Sequence, residues 1–168
     1  MIVDCHAHYT SEPKAWHDFR AKMVAALESG QPLPASGELK ISDDEIRSLL
    51  DPAQIAMQRE RGIDRTIFSA RASAMGHHLG GFAENLAWTR MCNDMVHRVC
   101  TLYPETFIGG AQLPQSVGGN PKDLIGELER CVNDYGFVSC NLNPDPSGGS
   151  FSSPPITDKS WYPFYEKL

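Results

Sequence analysis

The chain has 168 residues, 41% of them hydrophobic, and a formal net charge of -6 at pH 7. This length is enough for one domain with a buried core. The basic residues are scattered rather than clustered, which argues against a nucleic-acid partner. No apolar run reaches the ~18 residues that a membrane span needs, and no signal-peptide pattern opens the sequence. We therefore expect a cytoplasmic protein that has no nucleic-acid or membrane partner.

The cysteines give no sign of a disulfide framework. They are odd in number, widely spread and without a CxxC pair, at Cys5, Cys92, Cys100, Cys131 and Cys140. This pattern argues against both paired disulfides and a thiolate zinc site. We expect reduced thiols that pack as small hydrophobic side chains.

The first predicted strand covers residues 1–8, MIVDCHAH. Alternation along a strand puts Asp4, His6 and His8 on one face, so both imidazoles point the same way. Imidazole nitrogens suit zinc and similar metals, and Asp4 could support one of the ligands. Two surface histidines would give the same HxH pattern, but the position at the end of an apolar strand favours a metal site.

A helical segment follows at residues 42–62. Ser42 is the predicted N-cap, Glu45 has the spacing of a capping box, and Gly62 is placed to end the helix. Pro52 predicts a break or a second helix start within the segment.

The second predicted strand, residues 64–71, ends at Arg71 and leads into a loop that contains Ser73, His77 and His78. A guanidinium can bind a carboxylate through two hydrogen bonds, so Arg71 and Ser73 are candidate substrate-binding residues. Imidazole titrates near neutrality, so His77 is the candidate catalytic proton shuttle, ahead of His78. A surface arginine and two uninvolved loop histidines are the alternatives.

The next elements repeat the strand and helix order. A helical stripe runs from Phe82 towards Pro104, and the third predicted strand covers residues 106–114. Asn120 then caps a helix that ends at Gly136.

The fourth predicted strand covers residues 136–144 and carries Asn141 and Asn143 at its end. These amides can bond a carboxylate or carbonyl group, although asparagine also forms turns. A loop rich in Pro, Gly and Ser follows, and TDKSWYPFYEKL predicts the start of another helix.

Strands that alternate with helices predict a parallel α/β sheet, and the nearly continuous apolarity of these strands predicts cover on both faces. A (β/α)8 barrel takes about 250 residues, whereas this chain supplies four strands. The pattern therefore fits either an open four-stranded domain or the first half of a barrel.

DCHAHYT resembles the metal-binding first strand of the amidohydrolase superfamily, whose members are (β/α)8 TIM barrels. SARASAMGHHLGG, WTRMCNDMVHRVCTLYPETFIGGAQLPQS and LNPDPSGGSFSSPPITDKSWYPFYEKL resemble the 4-oxalomesaconate hydratase family in the decarboxylase-like branch of that superfamily. The resemblance implies that residues 1–168 are the N-terminal half of a single metal-dependent barrel domain. It implies a divalent metal ion, most often zinc, bound by His6, His8 and two ligands beyond Leu168.

The activity that the resemblance implies is the addition of water to 4-oxalomesaconate, which gives 4-carboxy-4-hydroxy-2-oxoadipate in protocatechuate 4,5-cleavage catabolism. A decarboxylase of an aromatic or muconate-type acid from the same branch is the enzymatic alternative. A noncatalytic half-barrel that self-associates is the alternative from another class. In the enzymatic case we expect a small di- or tricarboxylate substrate and a homo-oligomer.

Overall fold

Four parallel strands form one sheet in the computed structural model, which describes residues 1–71, 74 and 76–168. The strands are β1 (Val3–Ala7), β2 (Arg65–Ser69), β3 (Phe107–Gln112) and β4 (Ser139–Asn141), in the order β1-β2-β3-β4. The four-stranded parallel sheet predicted from the sequence is confirmed.

Six α-helices occur among the described residues: α1 (Lys14–Ser29), α2 (Asp43–Leu50), α3 (Ala56–Glu60), α4 (Phe82–Leu102), α5 (Ile125–Tyr135) and α6 (Tyr162–Tyr165). Helix α1 was not predicted, although its buried positions 16, 19, 23 and 26 have helical spacing. None of these helices is long and apolar enough to cross a membrane.

The helical segment after residue 42 begins as predicted but continues through its proline. The hydroxyl of Ser42 accepts a hydrogen bond of 3.1 Å from the amide of Glu45, which confirms the N-cap. Pro52 lies in a π-helical turn, Asp51–Ile55, that joins α2 directly to α3. A π turn loosens the helix locally and accommodates the proline, and α3 starts directly after it. Of the two predicted outcomes, the structure shows the second helix start and not the break.

Burial differs between the inner and outer strands of the sheet. Most residues of β2 and β3 are buried, whereas Val3 on β1 and Val138 beside β4 are 41% and 61% exposed. The prediction that every strand is covered on both faces is therefore wrong for β1 and β4. These strands are at the two ends of the strand order, so each has one neighbouring strand in this chain.

Two compact units can be distinguished, and the first comprises Met1–Phe68 and Arg98–Ile108. Its core contains Phe68, which packs against Phe107 with ring centroids 5.0 Å apart. The buried amide of Gln58 donates a 2.7 Å hydrogen bond to the hydroxyl of Thr66 on β2. This bond connects α3 to β2.

The second unit comprises Ser69–His97 and Gly109–Leu168. Its apolar cluster is formed by Leu113, Leu124, Leu128, Trp161 and Phe164. Gly109 on β3 lies so close to Phe137 that a Cβ atom there would be 2.1 Å from the aromatic ring. Glycine is therefore required at this position because the ring occupies the space of a side chain.

Asn93, which is fully buried on α4, binds the backbone of β3 in the second unit. Its Nδ2 donates to the carbonyl oxygen of Gln112 at 2.9 Å, and its Oδ1 accepts from the amide of the same residue at 2.8 Å. The other hydrogen of Nδ2 is donated to Oε1 of Glu127 on α5, at 2.8 Å. One carboxamide thus joins a strand to two helices.

Glu127 is a buried carboxylate that is fully compensated by cationic and polar neighbours. Burial raises its pKa, but hydrogen bonds from Arg130 and Asn93 outweigh that effect and leave the pKa below its ordinary value. Arg130 lies 2.6 Å from the carboxylate and Arg90 lies 3.2 Å from it. The group is therefore ionised and paired, as a buried charge must be.

Replacement of Asn93 by alanine should strongly destabilise the fold, because the paired groups of Gln112 and Glu127 would lose a buried partner. We expect the free energy of unfolding to fall by about 2–4 kcal/mol. Asp94→Ala is the matched control on the same helix, because that side chain is 55% exposed, and it should cost under about 1 kcal/mol. Urea unfolding followed by circular dichroism measures both, and equal effects would contradict this role of Asn93.

Candidate active site

The two histidines of the first strand lie together. Their ring centroids are 4.5 Å apart and their planes meet at 82°, so both imidazoles occupy the same side of the chain. The pairing of β1 with β2 shifts register between Asp4 and Ala7, where β1 has one residue more than its partner. Simple alternation therefore does not describe the strand, because a bulge precedes His8.

Asp4 makes a local hydrogen bond at the bulge. Its Oδ1 accepts a 3.2 Å hydrogen bond from the backbone amide of His6. The His6 side chain is exposed and that of His8 is half-buried.

The donor chemistry of His6 and His8 fits two positions of a metal shell, since zinc sites commonly use imidazole nitrogens. Within the described part of the chain, no group of three or more His, Cys, Asp and Glu side chains could hold a metal ion. The remaining ligands would therefore have to come from other residues. The assignment of His6 and His8 as metal ligands stays a prediction.

The second unit contains the other candidate site residues. Arg71 lies two residues after the end of β2 and is exposed, whereas Ser73 lies outside the described residues. Asn141 at the end of β4 donates a 2.7 Å hydrogen bond from Nδ2 to the hydroxyl of Ser69. The structure thus brings the ends of β2 and β4 together through Asn141, while the binding roles of all three candidates stay predictions.

His77 and Asn143 are in direct contact. The ring Nδ1 of His77 lies 3.2 Å from Nδ2 of Asn143, and the histidine is only 1% exposed. Burial, followed by the nearby charge of His78, lowers the pKa of His77 to about 4, although the carbonyl of Leu113 opposes this shift. The ring is therefore neutral at pH 7, and its expected catalytic role stays a prediction.

Two buried carboxamides that the sequence analysis did not identify hold this part of the site. Gln115 exchanges two hydrogen bonds with the backbone of Asn143, at 2.8 Å and 2.7 Å. Nδ2 of Asn85 bonds three carbonyl oxygens in the loop before α4, those of His77, Gly80 and Gly81. Sequence alone gives no signal for these roles, because buried and exposed carboxamides have the same residue type.

Asp145 organises the loop after β4. Its carboxylate accepts hydrogen bonds from the hydroxyl of Ser147 and from the amides of Ser147, Gly149 and Phe151, and these bonds, the Ser147 hydroxyl first, hold its pKa below the ordinary value. Phe151 is 78% exposed and has a φ of 49°, an unusual backbone conformation for an aromatic residue. The loop predicted from its Pro, Gly and Ser content is therefore present and internally ordered.

His78 packs against this loop at a glycine. A Cβ atom on Gly148 would lie 2.7 Å from Cγ of the His78 ring, and the φ of Gly148 is +73°. Both the backbone conformation and the close approach require glycine at this position.

A cavity of about 280 Å³ lies within the second unit. Its lining includes Phe82, Trp161 and four prolines, and none of its lining residues carries a charge. A tricarboxylate needs cationic partners, so this cavity does not suit the substrate class expected from the sequence.

A protein-family model described as amidohydrolase matches residues 3–168. The 2-keto-4-carboxy-3-hexenedioate hydratase of Sphingobium sp. (strain NBRC 103272 / SYK-6) is 52% identical over 168 residues, which are 100% of this chain and 49% of that protein. The chain therefore spans about half the length of this relative.

This chain is also similar to proteins of known structure. The crystal structure of 4-oxalomesaconate hydratase from Rhodopseudomonas palustris matches with a TM-score of 0.90 and 49% identity, over 99% of this chain and 49% of that one. A dihydroxybenzoic acid decarboxylase from Polaromonas sp. JS666, solved with bound manganese, matches with a TM-score of 0.59 and 22% identity over 99% and 45% of the chains. The decarboxylase shares the fold only, at this identity. The half-barrel predicted from the sequence is confirmed by the match to the hydratase structure.

Gly148→Ala should displace His78, whereas Gly118→Ala should not. Both glycines have φ values near +70°, but a Cβ atom on Gly118 would meet nothing within 4 Å. In each variant the free energy of unfolding should fall by about 1 kcal/mol, because alanine must adopt a left-handed backbone conformation there. Only in Gly148→Ala should it fall further, because of the contact with His78. Thermal unfolding and the NMR shifts of the His78 ring test this difference, and unchanged His78 shifts in Gly148→Ala would contradict the contact.

Proposed function

Because the chain belongs to the amidohydrolase family, we propose that it supplies the N-terminal half of a metal-dependent hydratase. The proposed substrate is an unsaturated keto tricarboxylate of the kind for which the two similar hydratases are named. The observation that carries this proposal is the 52% identity to a hydratase across all 168 residues. The proposed product is 4-carboxy-4-hydroxy-2-oxoadipate.

The proposed reaction is a conjugate addition of water. In 2-keto-4-carboxy-3-hexenedioate the double bond joins C3 and C4, next to the ketone at C2. The oxygen of water bonds C4 as the water gives up one proton to a base. The alkene electrons move towards the ketone oxygen as an enolate, which then takes a proton at C3, so that one water is added in total. The negative charge that develops on the ketone oxygen is the charge that the enzyme must stabilise. No oxidant or reductant is needed.

His6 and His8 are the residues of this chain that would hold the metal, through one imidazole nitrogen each. A bound divalent cation supplies positive charge for the developing enolate and lowers the pKa of bound water. We propose zinc, since imidazole suits it, although a relative of the same fold was solved with manganese. The other ligands are proposed to lie outside this chain.

Arg71 is proposed to bind a substrate carboxylate, because it is exposed at the end of β2 and carries a planar fork of donors. Asn141 and Asn143 are proposed as additional donors. Nδ2 of Asn141 donates one hydrogen to Ser69, and Nδ2 of Asn143 faces His77. Each amide nitrogen carries a second hydrogen that it can donate to a ligand. Ser73 is proposed as a further hydroxyl partner.

The decarboxylase alternative has weaker support. The decarboxylase structure described above is 22% identical, which supports a shared fold rather than a shared reaction. A common fold hosts many reactions, so the product and not the fold separates the two activities. The noncatalytic half-barrel predicts self-association without metal.

The roles of His6 and Arg71 can be tested in a chimera that joins this chain to the part of the Sphingobium hydratase beyond the matched half. We expect His6→Ala to lose the metal and to lower kcat at least about 100-fold. Arg71→Ala should retain the metal and raise KM about tenfold or more, because it removes a carboxylate partner. Metal analysis and absorbance-followed turnover measure both effects.

Two exposed residues outside the proposed site provide the matched controls for that experiment. His17→Ala on α1 and Arg59→Ala on α3 remove the same side-chain types and should change neither metal content nor kinetics. If His6→Ala behaves like His17→Ala, the proposed metal site is wrong. If Arg71→Ala behaves like Arg59→Ala, the proposed substrate contact is wrong.

A further inference from the structure

We infer that His77 is a positioning residue, a neutral imidazole that fastens the loop after β4 to the loop after β2 through Asn143. The inference rests on the proposed function only in taking these loops as part of the active site. It departs from the proton-shuttle role that the sequence suggests for His77. The contact between His77 and Asn143 carries the inference.

The direction of that hydrogen bond is set by Asn143. Its Oδ1 already accepts a hydrogen bond of 3.1 Å from the amide of Asp145, which fixes the orientation of the carboxamide. The atom that faces His77 at 3.2 Å is therefore Nδ2, and an amide nitrogen can only donate. Nδ1 of His77 must accept, so the single proton of the neutral ring is on Nε2.

A protonated ring would not fit this arrangement. It would carry a hydrogen on Nδ1 and place it against the hydrogens of Nδ2, so the link would become repulsive. The burial of His77 and its lowered pKa agree with a ring that is neutral at pH 7. A general acid or base must gain and lose a proton near the working pH, which this contact opposes.

Access to the ring also argues against proton transfer to a substrate. The Nε2 atom is fully buried and has no hydrogen-bond partner of good geometry among the described residues. A catalytic residue has to touch the reacting atoms, and a ring that is 1% exposed presents almost no surface to a substrate. Its contact with Asn143 is therefore the role that the geometry supports.

Each side of the contact between His77 and Asn143 is anchored by another side chain. Asn85 binds the carbonyl oxygen of His77, and Gln115 holds the backbone of Asn143 with two hydrogen bonds. Beyond Asn143, Asp145 fixes the loop as far as Phe151. A change at His77 should therefore be transmitted along the loop that carries Asn143.

NMR of this chain tests the inference without any enzyme assay. The chain has six histidines, and the signals that disappear in His77→Gln identify His77. Long-range proton–nitrogen spectra should show a neutral ring with its proton on Nε2 and no titration between about pH 5.5 and 8. A proton on Nδ1, or a midpoint near neutrality, would overturn the inference.

Two variants separate positioning from proton transfer. Glutamine can still accept from Asn143, whereas leucine has similar bulk and no acceptor. We expect His77→Leu to speed amide hydrogen exchange at Gly149 and Phe151 about fivefold, and His77→Gln to leave it nearly unchanged. Equal rates of amide hydrogen exchange at Gly149 and Phe151 in both variants would contradict a link between His77 and Asn143.

In the chimeric hydratase, His77→Gln should retain kcat within about threefold and an unchanged pH profile, while His77→Leu should mainly raise KM. Loss of an acid or base would instead cost about 100-fold or more in kcat in both variants. That outcome would overturn the inference. If the chimera does not hydrate the substrate, the proposed function fails, and the NMR and exchange results still decide the role of His77.

Discussion

Buried carboxamides that bind backbone groups are the interactions on which the second unit depends. A strand that ends inside a protein leaves amide and carbonyl groups that must be paired, because an unpaired buried polar group costs as much as a lost hydrogen bond. Asn93 meets this requirement for β3, and Gln115 meets it for the segment after β4. Asn85 does the same for the loop before α4. The loops that carry the candidate site residues take their shape from these bonds.

The sequence predicted the repeating parts of the fold well, because strands and caps depend on local patterns. Ser42 and Asn120 cap their helices as expected, and all four strands lie within their predicted segments. The π turn around Pro52 and the bulge in β1 were missed, since both depend on how the chain packs rather than on residue type. Alternation predicts that the His6 and His8 rings share one side of the strand, and the rings do lie together, although a bulge interrupts that alternation.

The site was predicted less completely. Histidine titrates near neutrality, so the sequence predicts a proton shuttle at His77, but the burial of His77 and its bond to Asn143 could not be read from the sequence. The carboxamide network has no motif, and its members are distant along the chain. Their positions are determined by tertiary packing, for which pattern analysis has no signal. Residue type therefore indicated which chemistry is possible, and burial decided which residues can take part.

We propose that this chain belongs to an enzyme that adds water rather than one that removes carbon dioxide, and this is the central claim. Reaction of the chimeric protein in ¹⁸O-labelled water, followed by mass spectrometry, tests that claim most directly. Hydration predicts a product one water heavier than the substrate, with solvent oxygen in its C4 hydroxyl and no carbon dioxide released. The C2 ketone exchanges its oxygen with water without an enzyme, so an enzyme-free control corrects for the label at that position. A product that has lost carbon dioxide and carries no solvent oxygen at C4 would contradict the account.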